Sequence, residues 1–148
     1  MIYEYFDDIK VGEKKVSRSR TVTEADVVMF CMFTGNWLQI HSDAEFTKTT
    51  AFGERVVQGI LVHTLIPGLF PIPDPGIIIF AYGVDRIRYL KPTRIGDTLH
   101  VESQVNRKEE KGPDRGVVDI EYHVINQKGE TVQIATQRLL VARKGAKK

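Results

Sequence analysis

The order of residue patterns predicts an α+β fold: an antiparallel sheet packed on a mostly buried helix. Apolar runs at helical spacing, bounded by capping residues and glycines, fill the first half of the chain. From Gly76 onward the pattern changes to alternation with β-branched residues, in segments joined by short turns, which makes neighbouring strands antiparallel. At 148 residues, the chain suits one domain over residues 1–148, large enough to bury a core.

Taken in order, residues 6–12 read as a turn packed by Phe6, Ile9 and Val11, leading into a short polar strand over about 15–22. Thr23 can cap a helix and Asp26 can return the bond, a capping box whose acids suit the positive end of the helix dipole. Residues 25–33 are apolar nearly all round, which predicts burial on several sides, and Gly35 is placed to end that helix. Ser42, with Glu45 three residues on, predicts a second short helix over 43–49, so that residues 36–41 form a tight connection. Residues 56–70 read as a third helix, which Pro67 should kink or end, and the prolines up to Gly76 mark a loop. Four strands follow, over 77–90 with a bulge at Gly83, 98–108, 116–124 and 131–143.

A hydrophobic content of 42%, 27% charged residues and a formal charge of +2 are ordinary for a globular protein and point to neither nucleic acid nor membrane. The single cysteine, Cys31, excludes an intrachain disulfide and a Cys-based zinc site, and within an apolar helix it suits the core. The start of the chain shows no basic segment leading into an apolar run, and no stretch approaches the ~18 apolar residues of a membrane span, so a cytoplasmic protein is expected. The basic tail, residues 143–148, is expected to fray in solvent.

One stretch combines special backbone positions with usable side chains: Gly35, Asn36 and His41, then Gln58 and Gly59. A histidine suits proton transfer near neutrality, whereas an asparagine amide can only donate and accept hydrogen bonds. Asn36 also suits an Asx-turn, and Asp43 and Glu45 fit a helix cap better than a metal site. His63 could face a pocket, the core or a partner; His100 and His123 carry no motif.

The run Thr34-Gly35-Asn36-Trp37-Leu38-Gln39-Ile40-His41 resembles the hydratase signature of the MaoC-like dehydratase family of hotdog-fold proteins. The similarity continues through Phe52-Gly53-Glu54-Arg55-Val56-Val57-Gln58-Gly59 and Arg88-Tyr89-Leu90-Lys91-Pro92-Thr93-Arg94-Ile95-Gly96-Asp97. Asn36 stands where the family usually has Asp, and Leu38 and Gln39 replace its Asn and Pro. The resemblance implies a sheet wrapped around a central helix, a dimer, and an acyl-coenzyme A or acyl-carrier thioester as ligand, with no metal or separate cofactor. It implies reversible addition of water to a trans-2-enoyl thioester, with His41 as the acid and base, Asn36 orienting water or the imidazole, and the Gly59 N–H polarising the thioester carbonyl. Gly35, Trp37 and Gln58 are the further candidate substrate contacts.

A glycine at a helix N-terminus suits an oxyanion because no Cβ intervenes, although close packing against the sheet would also require one. Arg86, Arg88, Lys91, Arg94, Arg107 and Lys108 suit either a coenzyme phosphate or solvated strand faces. Two rival readings remain. A hotdog thioesterase would need a base that residues 60–70 lack, since they contain neither Asp nor Glu. A non-catalytic thioester-binding subunit, paired with another hotdog chain instead of a copy of itself, would suit the altered Asn36.

Overall fold

The polar stretch expected as one strand forms two pieces, β1 (Lys14–Val16) and β2 (Arg20–Thr21), in a computed structural model of the chain that describes residues 2–146. Helix α1 (Glu24–Thr34) begins at the expected box: Asp26 N–H donates to the Thr23 hydroxyl and Thr23 N–H to the Asp26 carboxylate. Gly35 ends it at φ 69°, a left-handed conformation that costs glycine least. The expectation that this helix is buried on several sides is corrected. Only Val27 and Cys31 are buried, while Val28, Met29, Met32 and Phe33 are exposed, Phe33 by 83%.

The connection over residues 36–41 is partly helical, since α2 (Gln39–Ser42) contains His41. The next helix, α3 (Ala44–Lys48), is capped by Asp43 rather than Ser42: the Asp43 carboxylate accepts from the Glu45 and Phe46 N–H groups at 3.0 and 2.9 Å. The Ser42 hydroxyl is engaged elsewhere, donating to the carbonyls of Trp37 and Leu38. Residues 56–58 are extended rather than helical, because Val56 N–H pairs with the Ile40 carbonyl and Val57 N–H with that of Thr93. Helix α4 (Gly59–Leu69) therefore starts at Gly59, and Pro67 falls in its last turn.

Strands β3 (Ile78–Tyr89), β4 (Thr98–Glu110), β5 (Arg115–Ile125) and β6 (Thr131–Ala142) follow. The antiparallel sheet runs β1-β4-β5-β6-β3, with β2 also on β4, so β3 is an edge whose one sheet neighbour is β6. A register shift between Ala81 and Gly83 supplies the expected bulge. Leu61, Val62, Ile66 and Leu69 of α4 belong to one buried cluster with Leu99, Val101, Ile120, Val124 and Leu139 of the sheet. Full burial of each such side chain stabilises by roughly 1.5–3 kcal/mol.

Near the N-terminus Phe6 and Ile9 are buried as expected, but Val11 is 61% exposed and does not pack the turn. The Phe6 ring fills the space over Gly116, where a Cβ would lie 2.2 Å from it, and Lys108 sits 4.5 Å from the ring centre. The basic tail is held at its start rather than free: Arg143 Nε donates to Asp7 at 2.8 Å and Lys144 Nζ to Asp8 at 2.7 Å. Lys147 and Lys148 lie outside the described residues. Among the described residues no helix is long and apolar enough to cross a membrane.

Candidate active site

His41 is placed by a short helical turn and clamped by the extended segment beyond it. Its ring is only 7% exposed, and Nδ1 lies 2.7 Å from the Val56 carbonyl oxygen. A carbonyl only accepts, so Nδ1 carries the hydrogen and donates, which leaves the Nε2 lone pair as the available base. The same segment bonds back to α2 through Val56 N–H and the Ile40 carbonyl at 3.0 Å, fixing the imidazole relative to α4.

Three residues beyond Val56, Gly59 opens α4. Its N-cap, Gln58, makes no side-chain capping bond, and the Gly59 N–H, in the first turn, has no acceptor within its own helix. A Cβ on Gly59 would lie 2.6 Å from Tyr89 Cε1, so the close approach of Tyr89 requires a glycine here. His41 and Gly59 line one cavity of about 390 Å³, together with Ile40, Phe52, Val56, Val57, Val62, the segment 89–93, Val132 and Gln133. The walls are mostly apolar and the polar groups few, which is the usual chemistry of a small-molecule pocket.

The other candidates lie elsewhere. The Asn36 Oδ1 accepts from Leu38 N–H at 3.4 Å in an Asx-turn ahead of α2, and Asn36 is not among the cavity-lining residues. Gly35 is the helix cap and Trp37 is 52% exposed; neither lines the cavity. Gln58 is buried, with Nε2 donating to Cys31 Sγ at 3.0 Å. Of the basic residues, Lys91 stands at the cavity and pairs with Glu130 at 2.7 Å, while Arg94 Nη1 donates to the Glu54 carbonyl. Among the described residues no group of His, Cys, Asp and Glu is arranged to hold a metal ion.

Sequence reasoning missed the Val56 carbonyl, Tyr89 and Gln133. Tyr89 lies inside the run 88–97 with no role assigned to it from sequence, and Gln133 sits between Val132 and Ile134 with nothing local to single it out. Across the sheet Tyr89 pairs with Gln133, and Gln133 Nε2 lies 3.2 Å from His63 Nδ1, one turn beyond Gly59 on α4. Burial holds the His63 pKa below its ordinary 6.5. Since the unfolded chain binds this proton more readily, stability contributed by neutral His63 is present above 6.5 and falls as pH drops from there toward the lowered folded pKa. The slope of denaturant midpoint against pH just below 6.5 is expected to shrink in His63→Gln; an unchanged slope would assign it to other groups.

Residues 9–128 match the family described as MaoC like domain. Protein MaoC of Klebsiella aerogenes is 36% identical over 107 residues, covering 71% of this chain but 31% of that protein, so the chain spans under a third of that relative. An (R)-specific enoyl-CoA hydratase of Rhodospirillum rubrum is 31% identical over 101 residues, 67% of each. Among solved structures, a monoamine oxidase regulatory protein from Archaeoglobus fulgidus superposes with TM-score 0.90 at 34% identity over 95% of both chains. A Mycobacterium tuberculosis protein described as a double hotdog fold superposes with TM-score 0.84 at 16% identity, covering 98% of this chain and 46% of that one. The sheet order, the helix against it and the matched residues make this chain a member of the MaoC-like dehydratase family, with a hotdog fold.

Proposed function

We propose that the protein is a hydro-lyase that adds water reversibly to a trans-2-enoyl thioester. The observation that carries this reading is the meeting of His41, with Nε2 available, and the uncapped N-terminus of α4 on the wall of one cavity. His41 Nε2 takes a proton from water as the water oxygen bonds to C3. The electrons move onto the thioester oxygen, where the Gly59 N–H and the helix dipole stabilise the charge. Nε2 then returns the proton to C2, so a single imidazole serves as base and acid. At about 390 Å³ the cavity suits an acyl chain and its thioester, leaving the bulk of a coenzyme A or acyl-carrier outside. The reaction needs no metal or separate cofactor in this scheme, and a cytoplasmic setting fits it.

The partner in this reading is a second copy of the chain. The β3 edge presents Phe80, Tyr82 and Val84, and α1 presents Met29, Met32 and Phe33, all exposed. Unpaired edges and apolar patches of this kind are usually covered. Light scattering of the purified protein is expected to give a dimer or higher oligomer, and a monomer at micromolar concentration would overturn the assignment.

One observation favours the rival, non-catalytic reading: Asn36 is committed to an Asx-turn and stands off the cavity. The deciding assay follows hydration of short trans-2-enoyl-coenzyme A by the wild type and by Asn36→Asp. Turnover by the wild type is expected, and a higher rate in Asn36→Asp would show that a carboxylate at this position reaches the reacting atoms. No turnover by the wild type at several chain lengths, with turnover gained in Asn36→Asp, would make the natural protein a binding or partner subunit.

A further inference from the structure

Gln133 is the one lining residue of a mostly apolar cavity that has a buried polar atom without a partner among the described residues. It is 1% exposed, it lines the cavity, and its Oε1 has no hydrogen-bond partner among the described residues. Its other amide atom is engaged, with Nε2 donating to Nδ1 of His63, so Nε2 of that imidazole carries the ring hydrogen. Burying an amide oxygen without a partner costs about 1–3 kcal/mol, and a site tends to bear that cost where a ligand supplies the missing donor. The neighbours Val62 and Val132 supply none.

The position of this oxygen along the cavity sets what it can meet. Gly59 and His63 are four residues apart on one face of α4, so the Gln133 amide, held at the level of His63, stands about 6 Å along the helix from the proposed oxyanion N–H. Gly59, Val62 and Gln133 line the same cavity, so an acyl chain whose thioester carbonyl meets Gly59 can run past Val62 toward Gln133. The group that completes the site is therefore a donor on the acyl chain, about two carbons beyond the reacting double bond.

We infer that the preferred substrate is an acyl thioester bearing a hydroxyl group on its distal chain, with that hydroxyl donating to Gln133 Oε1. The inference rests on the hydro-lyase reading and adds the substrate class. It assigns Gln133 as the residue that selects substrates and His63 as the group that holds the Gln133 amide in orientation. A plain alkyl chain leaves Oε1 unpaired, and sites built around a hydrogen bond discriminate strongly against ligands lacking it.

The test compares kcat/KM for trans-2-hexenoyl-coenzyme A, its 5-hydroxy analogue and its 5-oxo analogue, in the wild type and in Gln133→Met, an apolar replacement of similar volume. The wild type is expected to favour the 5-hydroxy substrate by at least about 10-fold over both others, since a ketone has no hydrogen to donate. Gln133→Met is expected to lose that preference and to favour the plain chain. Equal turnover of the three by the wild type would overturn the inference while leaving the hydro-lyase reading intact, and this comparison does not depend on the variant folding. An equal rise in KM for all three in Gln133→Met would place the amide on the carrier arm instead, and would also overturn it. No turnover of any of them would fell the hydro-lyase reading, and this inference with it.

Discussion

Replacing His41 by alanine is expected to lower kcat for enoyl-thioester hydration by about 10²–10⁴-fold, the contribution of a positioned general acid-base group. Alanine does two things at once, however. It removes Nε2, and it strips the Val56 carbonyl of its donor inside a buried contact, which costs about 1–3 kcal/mol of stability. His41→Asn separates the two effects. An asparagine amide nitrogen occupies nearly the position of Nδ1 and can still donate to Val56, but it carries no base where Nε2 stood. The expected result is the same loss of kcat as in the alanine variant with a thermal midpoint closer to that of the wild type. More than a tenth of the wild-type rate in His41→Asn would show that the base is another group.

A single methyl at Gly59 is expected to produce the second large effect. The new Cβ would lie 2.6–2.9 Å from three carbons of the Tyr89 ring, well inside contact distance. Tyr89 is 56% exposed at the end of β3, so the ring, rather than the helix, is the part that gives way. Displaced, it moves over the cavity mouth and across the approach to the Gly59 N–H. A loss of about 10²-fold or more in kcat/KM is expected, comparable with removal of an oxyanion donor, with little change in stability. Pairing Gly59→Ala with Tyr89→Ala removes the clash and should recover much of the loss. That non-additivity is measurable as a double-mutant cycle. Full activity in Gly59→Ala alone would show that the Tyr89 ring yields without covering the cavity mouth.

What could be read in the chain divides by range. Thr23, Asp26 and Gly35 announce α1 because their hydrogen bonds close within a few residues, alternation announces β4 and β5 because each displays its own two faces, and β-branched residues mark β3. Residues 56–58 were misread as helix because their extended form depends on partners at Ile40 and Thr93, which no local pattern reveals. Ser42 and Asp43 are both good caps, and the choice between them turned on the carbonyls of Trp37 and Leu38 claiming the serine. The all-round apolar character of α1 was read as burial on several sides, and within this chain only Val27 and Cys31 are covered, because an apolar pattern does not specify what packs on it. At the site, His41 and Gly59 were legible through the resemblance. The Val56 carbonyl, Tyr89 and Gln133 became visible only once α2, α4, β3 and β6 had been brought together.

The edge position of β3 governs when during synthesis the cavity can exist. Its one neighbour in the sheet is β6, so every backbone pairing that holds Tyr89 in place joins it to residues more than forty positions later. Closure over such a separation is slow relative to local helix formation. A nascent chain that has released α1 to α4 from the ribosome already has His41 and Gly59, but it lacks the wall formed by Val132 and Gln133. Throughout that interval the apolar residues of β3 wait without a sheet, the condition under which a chaperone or a second chain finds an unfinished protein. The pocket is thus completed only once β6 has been made, and any truncation before Thr131 leaves the proposed catalytic residues in the chain without the enclosure they act in.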